Sequence, residues 1–181
     1  MNIPNLLTLL RIILSPVIVI LLIQGAFLKA LMVFIVAGIT DALDGFLARV
    51  LHQQTILGAY LDPIADKGLL ASSFITLSVL HIIPGWLTVI VITRDFIILL
   101  GISVLSIMSL PVKIRPLFVS RVTTAMQLIT VLAALSTRCL PDNGYESWLS
   151  AIYWVTAFFT IVSGVAYMAR GVALINRAGK E

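Results

Sequence analysis

The sequence predicts an all-α membrane protein in which six helices cross the bilayer as one bundle. Of its 181 residues, 60% are hydrophobic and 11% are charged, and the mean hydropathy is +1.12. This composition leaves too few polar side chains to cover a soluble domain of this length. Apolar runs of about 20 residues, the length that spans the hydrocarbon core, recur between short turn sequences. An ordinary soluble globular protein is therefore excluded.

The apolar runs are assigned to helices in chain order. The first run begins almost at Met1 but carries Asn2 and Asn5 instead of basic residues, and it lacks a small-residue cleavage site, so we expect a retained helix and not a signal peptide. Turn sequences rich in Pro, Gly, Asn and Gln separate the later runs. The predicted helices are 6–24, 28–50, 56–80, 85–108, 118–138 and 147–173. The loops are short and no repeat is evident, which predicts a single domain over 1–181.

The distribution of basic residues predicts the orientation of the helices. Two basic residues, Lys29 and Arg138, fall on one side of the bilayer. The other side holds Arg11, Arg49, Lys113, Arg115, Arg121, Arg170, Arg177 and Lys180. By the positive-inside rule both termini are cytoplasmic. The short chain without a transit segment favours a bacterial inner membrane over an organelle.

Four aspartates lie within 26 residues of this apolar chain and make up half of its acidic residues: Asp41, Asp44, Asp62 and Asp66. A carboxylate at the centre of a membrane helix costs roughly 2.5–3.5 kcal/mol, and a divalent cation would offset that cost. Asp41 and Asp44 are three residues apart, and Asp62 and Asp66 are four residues apart, so the members of each pair share a helix face. If the two helices are antiparallel, both pairs lie toward the cytoplasmic end and face each other.

The composition limits the chemistry of such a site. One cysteine, Cys139, and two histidines exclude a thiolate or histidine cluster, so the ligands must be oxygen atoms. Ion pairs with Arg49 and Lys67 alone are the alternative, but two cations cannot neutralise four carboxylates. Gly45 and Gly58 remove side-chain bulk beside the aspartates, and Arg49 could hold a phosphate.

The spacing of these residues forms a specific motif. Residues 41–66 read D-x2-D-G-x2-A-R-x8-G-x3-D-x3-D, whose fixed positions are Asp41, Asp44, Gly45, Ala48, Arg49, Gly58, Asp62 and Asp66. This pattern resembles the signature of the CDP-alcohol phosphotransferase family at all eight positions. The resemblance implies a six-helix membrane enzyme, usually a homodimer, in which an alcohol displaces CMP from a CDP-linked lipid with the help of Mg²⁺ or Mn²⁺.

The resemblance also implies roles for individual residues. Asp41, Asp44, Asp62 and Asp66 would hold two metal ions, and Asp66 would also be the general base. Gly45, Ala48, Arg49 and Gly58 would contact the CDP group, with Thr55 as a further hydroxyl contact. No nucleic-acid partner is expected.

The amino terminus adds a second similarity. Asn5, Thr8 and Arg11 recur at intervals of three and share a helix face. The opening NIPNLLTLLR is similar to the phosphatidylglycerophosphate synthase and cardiolipin synthase branches of the family, which implies that this face lines the nucleotide pocket. A capping and interfacial role for Asn5 is the alternative.

The acceptor alcohol is predicted from the second half of the chain. Arg94 and Asp95 are adjacent in the fourth predicted helix and so should not face each other, and each should have a partner on another helix. Phosphatidylglycerophosphate synthases usually place a further arginine after this position, which this chain lacks. That difference and the segment 114–131 resemble cardiolipin synthases of the eukaryotic type, which implies phosphatidylglycerol as acceptor.

Other possibilities remain open at this point. Arg94, Lys113, Arg115 and Arg121 could bind the acceptor phosphate, although topology alone also places basic residues in a cytoplasmic loop. Glycerol 3-phosphate is the alternative acceptor, which would make the chain a phosphatidylglycerophosphate synthase. A divalent-cation transporter is disfavoured, because the acidic cluster lies toward one side and the first, fifth and sixth helices offer little acidic lining.

Overall fold

A computed structural model describes the backbone of residues 3–50, 56–107, 118–139 and 146–178. Side-chain environments are described within these ranges for 9–40, 67–101, 118–139 and 147–173. The described residues form six helices and no strand, which confirms the predicted all-α class. The helices are α1 (Ile3–Ile23), α2 (Phe27–Val50), α3 (Ile56–Val79), α4 (Gly85–Ile107), α5 (Phe118–Cys139) and α6 (Glu146–Ala178).

Two helix ends have left-handed residues that close the last turn. Gly25 follows α1 with φ of 71°, and the amide of Ala26 donates to the carbonyl of Leu21 at 2.9 Å. His81 follows α3 with φ of 55°, and the amide of Ile82 donates to the carbonyl of Leu77 at 2.9 Å. Both patterns satisfy carbonyl groups that the end of a helix would otherwise leave without donors.

The chain divides into two compact units. The first comprises residues 1–84 with 131–145, and the second comprises 85–130 with 146–181. In the first unit α1 packs against both α2 and α3, around a core of Ile18, Leu22, Ala30, Phe34, Ala37, Phe74 and Leu77. In the second unit α4 packs against α6. The prediction that the chain is a single domain stays a prediction.

Large apolar side chains are exposed on several of the described helices. Ile13, Met32, Val89, Trp154 and Phe158 are each more than 60% exposed. Exposed apolar surface on this scale is typical of a protein that contacts lipid or another chain. By length and composition, two described segments could cross a membrane, Phe118–Cys139 in α5 and Ser147–Ala173 in α6. Shorter apolar stretches occur in α1, α2 and α3, so the prediction of six spans stays a prediction.

Candidate active site

The predicted metal ligands lie on α2 and α3. The backbone is helical through Asp41 and Asp44 in α2 and through Asp62 and Asp66 in α3. The spacing argument assumed helices at these positions, and the structure has them. The side chains of the four aspartates lie outside the described set, as do those of Asn5, Thr8, Gly45, Ala48, Arg49 and Gly58. Thr55, Lys113 and Arg115 lie outside the described residues altogether.

The buried face of α2 extends toward the first aspartate pair. Ala30, Phe34 and Ala37 are buried against the rest of the first unit and recur at intervals of four and three residues. Asp41 is four residues beyond Ala37 and Asp44 is seven beyond it. Helix periodicity therefore puts positions 41 and 44 on the side of α2 that packs inward.

The buried face of α3 extends toward the second pair in the same way. Leu70 is 5% exposed and Ser73 is fully buried. Asp66 is four residues before Leu70 and seven before Ser73, and Asp62 is four residues before Asp66. Positions 62 and 66 therefore share the inward side of α3 with these buried residues. Both aspartate pairs thus continue the core-facing sides of their helices.

A cation is buried on the helix that contacts both α2 and α3. Arg11 of α1 is 1% exposed and is among the largest fully buried side chains of the described part of the chain. Ile18 and Leu22, seven and eleven residues further along, are also fully buried, so Arg11 belongs to the packed face of α1. The first unit therefore combines a buried guanidinium with two helices that carry the four aspartates.

The donor set at positions 41, 44, 62 and 66 fits a hard divalent cation. Carboxylate oxygens are the ligands that Mg²⁺ and Mn²⁺ prefer. Two pairs at helical spacing on two helices offer enough such oxygens for a shared site. Among the side chains that the structure describes, no group of three or more potential ligands occurs, and the four aspartates are outside that set.

Arg94 joins three helices of the second unit. Its Nη2 group donates to Ser120 Oγ of α5 and to Ser163 Oγ of α6, at 2.7 Å each. Its Nη1 group donates to Asp95 Oδ1 at 2.6 Å. Arg94 is 5% exposed, and the aliphatic part of its side chain lies beside Gly164. The guanidinium is thus tied into the packing of α4, α5 and α6.

This network corrects one expectation and confirms another. Arg94 and Asp95 are adjacent in sequence and were expected not to face each other, yet they form an ion pair. The long side chain of arginine can turn back to a neighbouring residue, which a comparison of helix faces alone does not consider. Partners of Arg94 on other helices were expected and are present.

A buried polar seam between α5 and α6 has no counterpart in the sequence-based prediction. Thr130 Oγ1 and Thr156 Oγ1 are 2.7 Å apart, and Thr123 Oγ1 donates to the carbonyl of Phe159 at 3.0 Å. Gln127, one turn from both threonines of α5, is 1% exposed. Interhelical hydrogen bonds of this kind hold helices together where water is absent. The recurrence of Thr123, Gln127 and Thr130 on one helix face was the available signal.

The predicted acceptor residues are only partly described. Arg94 is buried and bonded as above, whereas Arg121, in the first turn of α5, is exposed. Arg121 is next to Ser120, the α5 partner of Arg94. The assignment of Arg94, Lys113, Arg115 and Arg121 to an acceptor site stays a prediction.

Comparisons with known proteins give consistent matches. The family model described as CDP-alcohol phosphatidyltransferase matches residues 1–162. A cardiolipin synthase (CMP-forming) of Rattus norvegicus is 37% identical over 94% of this chain and 61% of its own length. A probable phosphatidylglycerophosphate synthase of Mycobacterium tuberculosis is 35% identical, over 94% of this chain and 82% of its own length. The chain spans less than two thirds of the rat protein.

The match with a further relative extends over nearly the whole length of that protein. A CDP-diacylglycerol--glycerol-3-phosphate 3-phosphatidyltransferase of Bacillus subtilis is 30% identical over 93% of this chain and 94% of its own length. The rat relative is thus named for the synthesis of cardiolipin, and the two bacterial relatives are named for the synthesis of phosphatidylglycerophosphate and for phosphatidyl transfer with glycerol 3-phosphate.

Proposed function

The chain belongs to the CDP-alcohol phosphatidyltransferase family, and on that premise we propose that it transfers the phosphatidyl group of CDP-diacylglycerol to phosphatidylglycerol. The products are cardiolipin and CMP. The observation that carries this acceptor is the 37% identity, over 94% of the chain, with the cardiolipin synthase of Rattus norvegicus. The absence of an arginine in the stretch that follows Asp95 also favours a less basic acceptor pocket.

The reaction requires one oxygen–phosphorus bond to form and another to break. The primary hydroxyl oxygen of phosphatidylglycerol attacks the phosphorus that carries the diacylglycerol group. The bond from that phosphorus to the bridging oxygen breaks, and CMP leaves with the electron pair. Asp66 takes the hydroxyl proton. The register of α3 supports this role, because position 66 lies on the inward side of the helix.

The other residues of the motif bind and orient the donor lipid. Asp41, Asp44, Asp62 and Asp66 hold two Mg²⁺ or Mn²⁺ ions, which neutralise the negative charge of the pyrophosphate when they are bound. Arg49 binds a phosphate oxygen, and Gly45, Ala48 and Gly58 leave space for the CDP group. Asn5, Thr8 and Thr55 add hydrogen bonds to it.

The proposed location is a lipid bilayer, with the site and both termini on the cytoplasmic side of a bacterial inner membrane. The exposed apolar side chains of the described helices support contact with lipid. We propose a homodimer, as the family resemblance implies. Family membership assigns the chain to the transferases, which adds to the sequence-based reasons for disfavouring a divalent-cation transporter.

Phosphatidylglycerophosphate synthase is the second candidate. It is favoured by the Mycobacterium tuberculosis relative, of whose length the chain covers 82%. Here the acceptor is glycerol 3-phosphate, and Lys113, Arg115 and Arg121 would bind its phosphate. Donor, metal ions and general base would be the same in both reactions.

An acceptor assay distinguishes the two reactions. Purified protein is incubated with CDP-diacylglycerol and Mn²⁺, with either phosphatidylglycerol or glycerol 3-phosphate, and CMP and the lipid product are measured. We expect CMP release and cardiolipin with phosphatidylglycerol. We expect Asp66→Asn to lower the rate by about 10²–10⁴, the usual contribution of a general base. Asp142→Asn, outside the motif, is the matched control and should retain activity. CMP release with glycerol 3-phosphate alone would contradict the assignment.

A further inference from the structure

The burial of Arg11 calls for an anion or hydrogen-bond acceptors within the first unit. A guanidinium removed from water is stable only when it is paired with an anion or hydrogen-bonded. Arg11 is 1% exposed, and its helix packs against α2 and α3. The acidic residues of those two helices are Asp41, Asp44, Asp62 and Asp66. The anion that these helices can offer is therefore one of the four aspartates.

Of the two aspartates on α2, Asp41 lies closer than Asp44 to the level of Arg11. At about 1.5 Å per residue, Arg11 lies about 18 Å before the end of α1 at Ile23, and Asp41 lies about 21 Å beyond the start of α2 at Phe27. By the same measure Asp44 lies about 26 Å beyond Phe27. A tight turn at Gly25 joins the two helices, so these distances start from nearly the same level.

Helix geometry reduces the remaining difference in level between Arg11 and Asp41. The Cα–Cβ bond of a helical residue tilts toward the helix N-terminus, which moves the side chain of Arg11 away from the turn and toward the level of Asp41. Position 41 also continues the buried series Ala30, Phe34 and Ala37 on α2. Arg11 and position 41 therefore share a level and belong to packed faces of two helices in contact.

We propose that Arg11 is a positioning residue that pairs with Asp41 and keeps the four-aspartate cluster together before metal ions bind. Without a cation on α1, mutual repulsion of the carboxylates would push α2 and α3 apart. This role differs from contact with the nucleotide, which the shared face with Asn5 and Thr8 suggests. It rests on the proposed function only in assigning metal ions to the same aspartates.

Metal-free stability tests the pairing without any substrate. The protein is stripped of metal with EDTA, and thermal unfolding in detergent is measured for the wild type, Arg11→Met, Asp41→Asn and the double variant. Loss of one partner of a buried pair should lower the midpoint of Arg11→Met by about 5–15 °C. The double variant, in which both charges are removed, should be more stable than Arg11→Met. Arg138→Met, which removes an exposed arginine of the same unit, is the control and should shift the midpoint by no more than about 2 °C.

Titration with Mn²⁺ alone gives a second readout. Removal of the neighbouring positive charge should make Arg11→Met bind Mn²⁺ roughly tenfold more tightly, and Mn²⁺ should raise its unfolding midpoint more than that of the wild type. Arg11→Lys keeps the charge and should remain close to the wild type in both measurements.

Three results would overturn the pairing. The first is an Arg11→Met midpoint and Mn²⁺ affinity like those of Arg138→Met. The second is a double variant no more stable than Arg11→Met, or one that fails to fold while Asp41→Asn folds. The third is an Arg11→Met variant with an unchanged metal-free midpoint and a raised KM for CDP-diacylglycerol, which would assign Arg11 to the nucleotide site instead. If the acceptor assay fails while the double variant is still more stable than Arg11→Met, only the proposed function is rejected.

Discussion

Arg94 shows how one side chain can organise three helices. Its guanidinium donates to Asp95 on its own helix and to Ser120 and Ser163 on α5 and α6. In a buried setting such charge-assisted bonds are strong, and a charge left without its partner is costly. The side chain therefore has a structural role that does not require a bound substrate, whether or not it also approaches the acceptor.

Removing the Arg94 side chain should lower the free energy of unfolding more than removing the hydroxyl of Ser163. Arg94→Met should lower the free energy of unfolding by about 3–5 kcal/mol, because Asp95, which is 15% exposed, loses the cation that neutralises it. Ser163→Ala should cost only about 1 kcal/mol. Arg94→Met with Asp95→Asn should recover part of the loss. Denaturant unfolding in detergent measures these values, and Arg170→Met, which removes an exposed arginine, is the control. An Arg94→Met effect no larger than that of Arg170→Met would contradict the structural role.

The outward faces of α4 and α6 form an apolar surface with distinct ends. Trp86 and Trp154 are 42% and 67% exposed, and their ring centroids are 5.0 Å apart. Beyond them the exposed side chains are apolar apart from Thr93, and they include Val89, Phe96, Phe158, Ile161 and Val165. The series on α6 ends at the exposed Arg170, about 24 Å from Trp154 by helical rise. Tryptophan at one end and arginine at the other are typical of the two interfaces of a bilayer.

This arrangement gives a test of the proposed bilayer location. In liposomes of Trp148→Phe protein, the fluorescence of the Trp86 and Trp154 pair should be quenched more by lipids brominated near the headgroup than by lipids brominated near the chain ends. The reason is that indole rings prefer the headgroup level. Trp86→Phe and Trp154→Phe then assign the signal to each ring. Strong quenching by aqueous iodide with none by brominated lipid would show that this face is not in the membrane.

At the scale of the whole molecule, the acidic motif belongs to one unit and the polar network around Arg94 to the other. The first unit holds all four motif aspartates together with the buried Arg11, whereas the second holds the Arg94 network and the threonine seam. Binding of divalent cations to the aspartates should therefore stabilise the folded chain as well as enable the reaction.

Removal of divalent cations should abolish the reaction. We expect CMP release to fall to background in excess EDTA and to return with Mg²⁺ or Mn²⁺, because oxygen ligands favour hard cations. The unfolding midpoint should rise with the same cations in the wild type but much less in Asp44→Asn. Asp142→Asn serves as the control, with a wild-type response. Full activity in EDTA would contradict a metal-dependent mechanism.

Local sequence was sufficient to predict the helices and the motif. Six apolar runs with turn residues between them predicted the observed helices closely, since backbone hydrogen bonding and local hydrophobicity are set within each segment. The pairs Asp41 with Asp44 and Asp62 with Asp66 were readable because their spacing matches the helix period.

Which polar groups are buried, and with which groups they pair, became visible only from the packing of the helices. The sequence placed Arg11 among the basic residues of one side and on the helix face of Asn5 and Thr8, whereas only its packing in the first unit shows that it is buried. The ion pair of Arg94 with Asp95 and the contact of Thr130 with Thr156 depend on side-chain reach and on helix packing between distant segments. Side-chain reach and the packing of distant segments are not encoded in local periodicity, which is why these interactions could not be derived from the sequence.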